Sequence, residues 1–425
     1  MSAQESTQES TQASKSHAST PYSQRWKEQR WLLDAVVRTV GIEWDQARIG
    51  SKSRPAGAEA EAEFRAVAAR IKRYDDFDRE FAAQARKRAR MAAQLEQDGR
   101  AVAARESYMT AALLWSTACW PLHEHGERLH AYERAVNECF EGYMRHAPQP
   151  TFRVEIPFEG KHLPAYMHLP RERRGDERFP VVIIIGGMDS SKENMVSMYG
   201  DRFLQRGFAV LALDGPGQAE AITRRIFFTP GNFADAAEAT YAWLKTQDYA
   251  DLDRLVVRGT SFGSYFGTVF ATQLGARIKG FAATGVCQEP GCDTIFNAAS
   301  PTFKLRFMFM SGFEDEEKFD AFCQGIDLRP LAPRITFPYM IVAGEKDQLS
   351  PIEHTEDLFA RIPGPKRLVI FEGANHGVAG APSVSNGEEK VTMVADWLLD
   401  RVNGKPFESE RCFVESSGAQ RVTKY

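Results

Sequence analysis

Residues 254–276 read RLVVRGTSFGSYFGTVFATQLGA. The apolar run Leu255-Val256-Val257 leads into Gly259-Thr260-Ser261-Phe262-Gly263, and a second apolar stretch with helical spacing follows. Strand, sharp turn and helix in that order put a serine at the apex, where its hydroxyl projects from the carboxyl end of the strand. Glycines two residues to either side let the backbone turn tightly without side-chain clashes. G-x-S-x-G is short enough to arise by chance as an ordinary turn. Its place between a buried-strand pattern and a helix makes Ser261 the candidate nucleophile.

Working outward, similar short apolar runs recur. They are VVIIIG (181–186), FAVLAL (208–213), RLVVRG (254–259), KGFAATG (279–285), YMIVAG (339–344) and RLVIF (367–371), nearly continuous as in strands covered on both faces. Helical patterns separate most of them, at 192–206, 231–246, 263–276, 352–361 and 388–402. Ahead of these, FRVEI (152–156) and HLPAYMHL (162–169) flank Phe158-Glu159-Gly160 and read as a hairpin. An antiparallel pair followed by six alternating βα units is the order of the α/β-hydrolase fold, here a mostly parallel eight-stranded sheet flanked by helices. The segment 286–338 interrupts the alternation with Phe296, Phe303, Phe307, Phe309, Phe313, Phe319, Phe322, Met308 and Met310. It reads as a lid with an apolar substrate surface, as packing against the N-terminal helices, or as both.

Before Pro148 the period is helical. Phe64, Val67, Ala68 and Ile71 share a face that Tyr74, Phe77 and Phe81 extend, and further helices fall at 101–120 and 127–145. Domain expectations follow: a disordered Ser/Thr/Gln-rich tail at 1–20, four or five helices in a domain over 21–148, the α/β domain over 149–404, and a C-terminal tail at 405–425. Such a helical domain offers an apolar face on which two copies can pair as a homodimer. A net charge of −4, spread along the chain, gives no nucleic-acid surface. No apolar run approaches the ~20 residues that cross a membrane, and the N-terminus lacks the pattern of a signal peptide. Cys119, Cys139, Cys287, Cys292, Cys323 and Cys412 form no C-x-x-C pair and read as reduced thiols of a cytoplasmic protein. His123, His125 and His130 cluster without carboxylates or cysteines at ligand spacing, so no metal is expected there.

A serine hydroxyl attacks only when a base takes its proton, and imidazole suits that task near neutral pH. In this fold the order is Ser, then Asp or Glu, then His. Only His354 and His376 follow Ser261. His354 sits inside a helical pattern, whereas His376 stands in the loop just past the last predicted strand, on the edge that carries Ser261. His376 is therefore the expected base. Asp347, just past YMIVAG, is the expected acid, with Glu345 in the same loop as runner-up and helix capping as the bland role for Asp347. An oxyanion hole needs backbone amides. One is expected from Phe262 and the other from Gly187 or Met188, in the glycine-rich loop after VVIIIG. Ser190-Ser191-Lys192-Glu193 fits a capping box, which would end that loop at a helix N-terminus. Asp214-Gly215-Pro216-Gly217 lacks the third glycine of a dinucleotide loop and any GK[ST], and reads as a structural turn. No metal or organic cofactor is required.

GGMDSSKEN, LALDGPGQAEA, GTSFGSY, GEKDQLSP and GANHG, behind a helical N-terminal domain, resemble one α/β-hydrolase branch. It holds the dihydroxypseudooxynicotine hydrolases, the fungal chain-shortening polyketide hydrolases and the FrsA-like proteins. The resemblance covers roughly residues 25–403. It implies a serine hydrolase cleaving an activated carbon–carbon bond beside an aryl ketone or within a β-dicarbonyl, on a small apolar or aromatic carbonyl substrate held between the helical domain and the sheet edge. It also implies an auxiliary role for Asp189, which stands where the nicotine-degrading relatives carry a glutamate. The competing role for Asp189 is bracing its loop. The same residues would serve a carboxylesterase or lactonase, and less readily an acyl-transfer cyclase. A non-catalytic regulatory protein would have no need of the full set.

Overall fold

The computed structural model describes residues 23–425; the expected N-terminal tail lies outside them. Ten strands form one sheet. They are β1 (Thr151–Phe158), β2 (Lys161–His168), β3 (Phe179–Ile185), β4 (Ala209–Leu213), β5 (Ala250–Ser261), β6 (Gly280–Val286), β7 (Tyr339–Gly344), β8 (Lys366–Phe371), β9 (Glu410–Val414) and β10 (Gln420–Lys424). Their order across the sheet is β1-β2-β4-β3-β5-β6-β7-β8-β9-β10. The run from β4 to β9 is parallel, and β1, β2 and β10 add antiparallel edges. The chain has the α/β-hydrolase fold.

Residues alternate between faces along each strand, and the core follows. Val181, Ile183 and Ile185 pack on one layer with Phe233, Phe266 and Phe270. Val182 and Ile184 pack on the other with Phe203, Trp397 and Leu398. The hairpin β1–β2 closes on Glu159-Gly160, both at positive φ (47° and 72°), as a two-residue turn between twisted strands requires.

Two expectations need correction. The segment past 404 is not a tail: it supplies β9 against β8 and β10 against β9, giving ten strands instead of eight. All five residues of β10 are exposed, so it carries no apolar run to announce it. The helix expected at 192–206 is only a single 3-10 turn, Lys192–Asn194, and a four-residue helix, Arg202–Gln205. The capping box is Ser191 with Asn194, and it opens no long helix. Gly200, at φ 81°, interrupts the segment, and Lys192 and Glu193 are fully buried in a charge cluster that no amphipathic surface helix could supply.

Among the described residues six α-helices lie ahead of the sheet, where four or five were expected, from Gln24–Thr39 to Glu127–Arg145. The face predicted to run from Phe64 to Phe81 belongs to two of them, Ala58–Ala68 and Phe77–Gln97, with a break between, though all of its bulky members share one core. That core reaches the sheet through Tyr166 of β2, which stacks on Phe140 at 4.2 Å between ring centroids.

Candidate active site

β3, β5, β7 and β8 end on the same edge, and each delivers part of the site there. Ser261 closes β5 at φ 55°, a strained conformation for a residue with a side chain. Packing holds it: a Cβ on Gly259 would stand 2.2 Å from the Gly263 carbonyl oxygen, and one on Gly263 would stand 2.2 Å from that of Ile185. Helix Gly263–Leu274 therefore sits directly on β3 and β5, and no other residue fits at either position.

Ser261 Oγ lies 2.9 Å from His376 Nε2. His376 Nδ1 lies 2.9 Å and 3.1 Å from the two oxygens of Asp347. Asp347 Oδ1 also accepts from the amides of Leu349 (2.8 Å) and Ser350 (3.0 Å), which fixes the carboxylate. Gln348 Oε1 accepts the His376 amide at 3.1 Å and ties the two loops together. Both His376 and Asp347 are buried. Burial opposes a charged imidazole, but the Asp347 carboxylate, with Cys287 adding, carries the His376 pKa up to about 10. The runners-up point elsewhere: Glu345 accepts from the Gly373 amide at 2.9 Å, and His354 faces Glu289 at 3.7 Å.

The loop after β3 passes over the serine. A Cβ on Gly187 would meet Ser261 Cβ at 2.8 Å, so only glycine allows this approach. Of its two candidate donors, Gly187 gives its amide to Ser190 Oγ at 3.2 Å. Among the described residues no acceptor takes the amides of Met188 or Phe262, which leaves both for a substrate oxygen. Gln218 holds the loop from behind, donating to the carbonyls of Gly186 (2.6 Å) and Gly187 (3.3 Å) while accepting the Gly215 amide. The DGPGQ turn is thus a structural brace of the oxyanion loop.

Asp189 points into the helical domain. Oδ1 accepts from the Trp120 indole, and Oδ2 from Gln46 and from Arg48 at 3.3 Å. Lys52 donates to the Asp189 carbonyl. Every one of these donors comes from the N-terminal helical domain, so the carboxylate ties the loop after β3 to that domain. Of the lid aromatics, Phe296 and Phe307 pack on Phe262 with centroids 5.7 and 4.5 Å apart, and Phe319 is fully buried. Phe303 alone of them lines the larger cleft described below, and Phe309 alone lines a smaller cavity.

Just past Asp189, Lys192 is wholly buried and pairs with Glu193 (2.6 Å), Glu220 (2.8 Å) and Asp214 (3.4 Å). Burial disfavours its charge, yet the carboxylates outweigh burial and raise its pKa well above the usual value. Lys192→Met strands these acids in the interior. We expect a loss of about 3–5 kcal/mol in stability, read by urea denaturation.

A family model described as esterase FrsA-like matches residues 15–292. The chain belongs to the FrsA-like esterase family. A prolyl oligopeptidase family model matches 196–405 of this FrsA-like chain. It is 27% identical over 247 residues to "Alpha/beta hydrolase xenA" of Xenoacremonium sinensis, covering 56% of the chain and 57% of that protein. It is 33% identical over 114 residues to "Esterase FrsA" of Photobacterium profundum, covering 27% and 26% respectively. The matched stretch thus spans little more than half, or less, of each relative. Among solved structures, that of 2,6-dihydroxy-pseudo-oxynicotine hydrolase superposes with a TM-score of 0.71 at 21% identity, over 84% of this chain and 97% of that one. At that identity the likeness is one of fold.

Sequence reasoning missed three residues of this FrsA-like site. Gln348 and Gln218 brace loops, and their signal was only adjacency to Asp347 and to the DGPG turn. Cys287, read only as a reduced thiol, lies with its Sγ 3.8 Å from Ser261 Oγ. The end of the neighbouring strand β6 was the available clue.

Proposed function

We propose that this protein is a serine hydrolase that works through an acyl-enzyme. The observation that carries the reading is the unbroken series Ser261–His376–Asp347, with two unclaimed amides beside the serine. Asp347 keeps the imidazole proton on Nδ1, so Nε2 takes the proton of Ser261 as Oγ attacks a carbonyl carbon. The Met188 and Phe262 amides hold the resulting oxyanion. Collapse breaks the bond to the leaving group, which takes the proton back from Nε2. Water then attacks the acyl-enzyme, His376 accepts its proton, and a carboxylic acid leaves.

The bond we assign is an activated carbon–carbon bond of an aryl ketone or β-dicarbonyl, whose leaving carbanion is delocalised as an enolate or into a ring. His376, which takes the serine proton, stands with Nε2 2.9 Å from Ser261 Oγ and is the group placed to return that proton to such a leaving group. Beside the Asp347 loop opens a cleft of ≈ 550 Å³ whose wall mixes Leu33, Val36, Trp44 and Phe303 with Arg25 and Asp45, and its apolar part offers room for an aromatic carbonyl compound. An alkoxide leaves more easily than a carbanion, so simple esters should turn over as well. The test is kcat/KM on 1-phenyl-1,3-butanedione against 4-nitrophenyl butyrate. Turnover of the diketone supports the assignment; ester turnover alone makes the protein an esterase or lactonase. With its carboxylate engaged by Trp120, Gln46 and Arg48, Asp189 acts as a clamp in this reading. Asp189→Asn should lower kcat/KM on both substrates by the same factor, about tenfold for a displaced oxyanion amide. A loss confined to the diketone would make it an auxiliary acid.

A further inference from the structure

A small cavity of ≈ 20 Å³, room for one small polar group, lies where the helical domain, the oxyanion loop and lid helix Pro301–Ser311 meet. Its wall includes Asp189, Ser190 and Ser191, the residues directly after the Met188 amide, together with Trp120, Lys52 and Arg306. Ser190 Oγ also receives the amide of Gly187, the residue packed on Ser261. A group seated in the cavity therefore abuts the loop that would hold a substrate oxyanion.

One cation of this wall has no acceptor among the described residues. Arg306 is 7% exposed, yet among the described residues it forms no ion pair, and its Nε is buried with no acceptor. Its guanidinium faces the ring of Phe309, at 5.9 Å. Arg48 is matched by Asp45 at 2.5 Å and by Asp189 at 3.3 Å. Lys52, 5% exposed, touches Asp189 only through its carbonyl oxygen. Of these three cations Arg306 is the one that, among the described residues, touches neither a carboxylate nor a carbonyl oxygen. Burial, aided by Arg306 and Arg48 and opposed by Asp189, lowers the Lys52 pKa to about 8. Glu133, also in the wall, forms no ion pair with Arg306 or Lys52 among the described residues, and burial raises its carboxyl pKa. His123, buried with both ring nitrogens unpartnered, is kept neutral by burial and by the same arginines. Burying an unpaired guanidinium is costly, and the fold retains one here, beside the loop that packs on Ser261.

We propose that Arg306 and Lys52 form a carboxylate-binding subsite, and that the substrate of this hydrolase carries a carboxylate that docks there. Arginine recognises a carboxylate through two parallel N–H donors, and lysine adds a point charge. The substrate half of this inference rests on the hydrolase reading; the anion site itself does not.

The experiment has two arms. In the first, wild-type protein is titrated with ¹³C-labelled acetate and with acetamide at neutral pH, followed by NMR. Acetate should bind at least tenfold more tightly than acetamide, Arg306→Gln should lose at least tenfold, and Arg306→Lys should recover part of it. Equal binding of the two probes to wild type overturns the subsite, whether or not the variants fold. So does unchanged acetate binding in folded Arg306→Gln and Lys52→Met. In the second arm, kcat/KM for 4-nitrophenyl hemisuccinate should exceed that for 4-nitrophenyl butyrate at least tenfold, and the ratio should collapse in Arg306→Gln. A ratio near one with acetate still bound overturns the substrate assignment. Acetate binding with neither ester hydrolysed overturns the hydrolase reading and that assignment together, while the anion site stands.

Discussion

Ser261→Ala lowers kcat/KM for 4-nitrophenyl butyrate by at least about 10⁴-fold, leaving only the catalysis that oriented amides and binding supply. The expected size follows from how the nucleophile is held. Its φ of 55°, the close contacts that Gly259 and Gly263 make possible, and the 2.9 Å approach of His376 all serve to present one oxygen atom. Alanine keeps the backbone and removes only that atom, so the melting temperature should hardly move while turnover vanishes. Steady-state kinetics with a thermal melt of the same preparation separates the two. A variant retaining more than about a tenth of the wild-type rate would mean that another group attacks the carbonyl.

Asp347→Asn is the second large effect, about 10⁴-fold in kcat, and it carries a sign that a merely structural residue would not. An amide presents N–H where the imidazole Nδ1–H needs an acceptor, so His376 turns to the tautomer that cannot take the serine proton. The pH profile shifts as well. The Asp347 carboxylate holds the His376 pKa above its ordinary value, up to about 10, against burial. The base works only when neutral, so wild-type kcat/KM falls as pH drops through a His376 pKa that the carboxylate holds above the ordinary imidazole value. With the carboxylate gone, burial dominates and the pKa drops below the ordinary imidazole value of about 6.5. The acid limb of the residual activity should therefore move to lower pH. Rates measured from about pH 5 to about pH 11 decide it, and an unmoved limb would place the titration on another group.

The chain shows what kind of information sequence holds. β3, β5, β6, β7 and β8 could be read because strands covered on both faces must be apolar throughout, and the loop positions of Asp347 and His376 follow from where those strands end. β10 could not, because an edge strand with both faces in water has no reason to be apolar. The missing helix at 192–206 has a different cause. Its pattern contained Lys192 and Glu193, which a surface helix would expose, but the fold buries them with Asp214 and Glu220. Those acids lie beyond β3, in and after the DGPG turn, and no local pattern reveals such a long-range pairing. Asp189 belongs with it. Its place in the oxyanion loop was legible, whereas the partners that set its role come from Gln46, Arg48 and Trp120, far back in the chain.

The central claim is that Ser261 is a nucleophile activated by His376. Incubating the folded wild-type protein with a fluorophosphonate and weighing it intact by mass spectrometry tests that most directly. One adduct per chain is expected, mapping to the peptide that holds Gly259-Thr260-Ser261-Phe262-Gly263 and strongly slowed in His376→Ala. Folded protein that stays unmodified, or an adduct on any other residue, would contradict it.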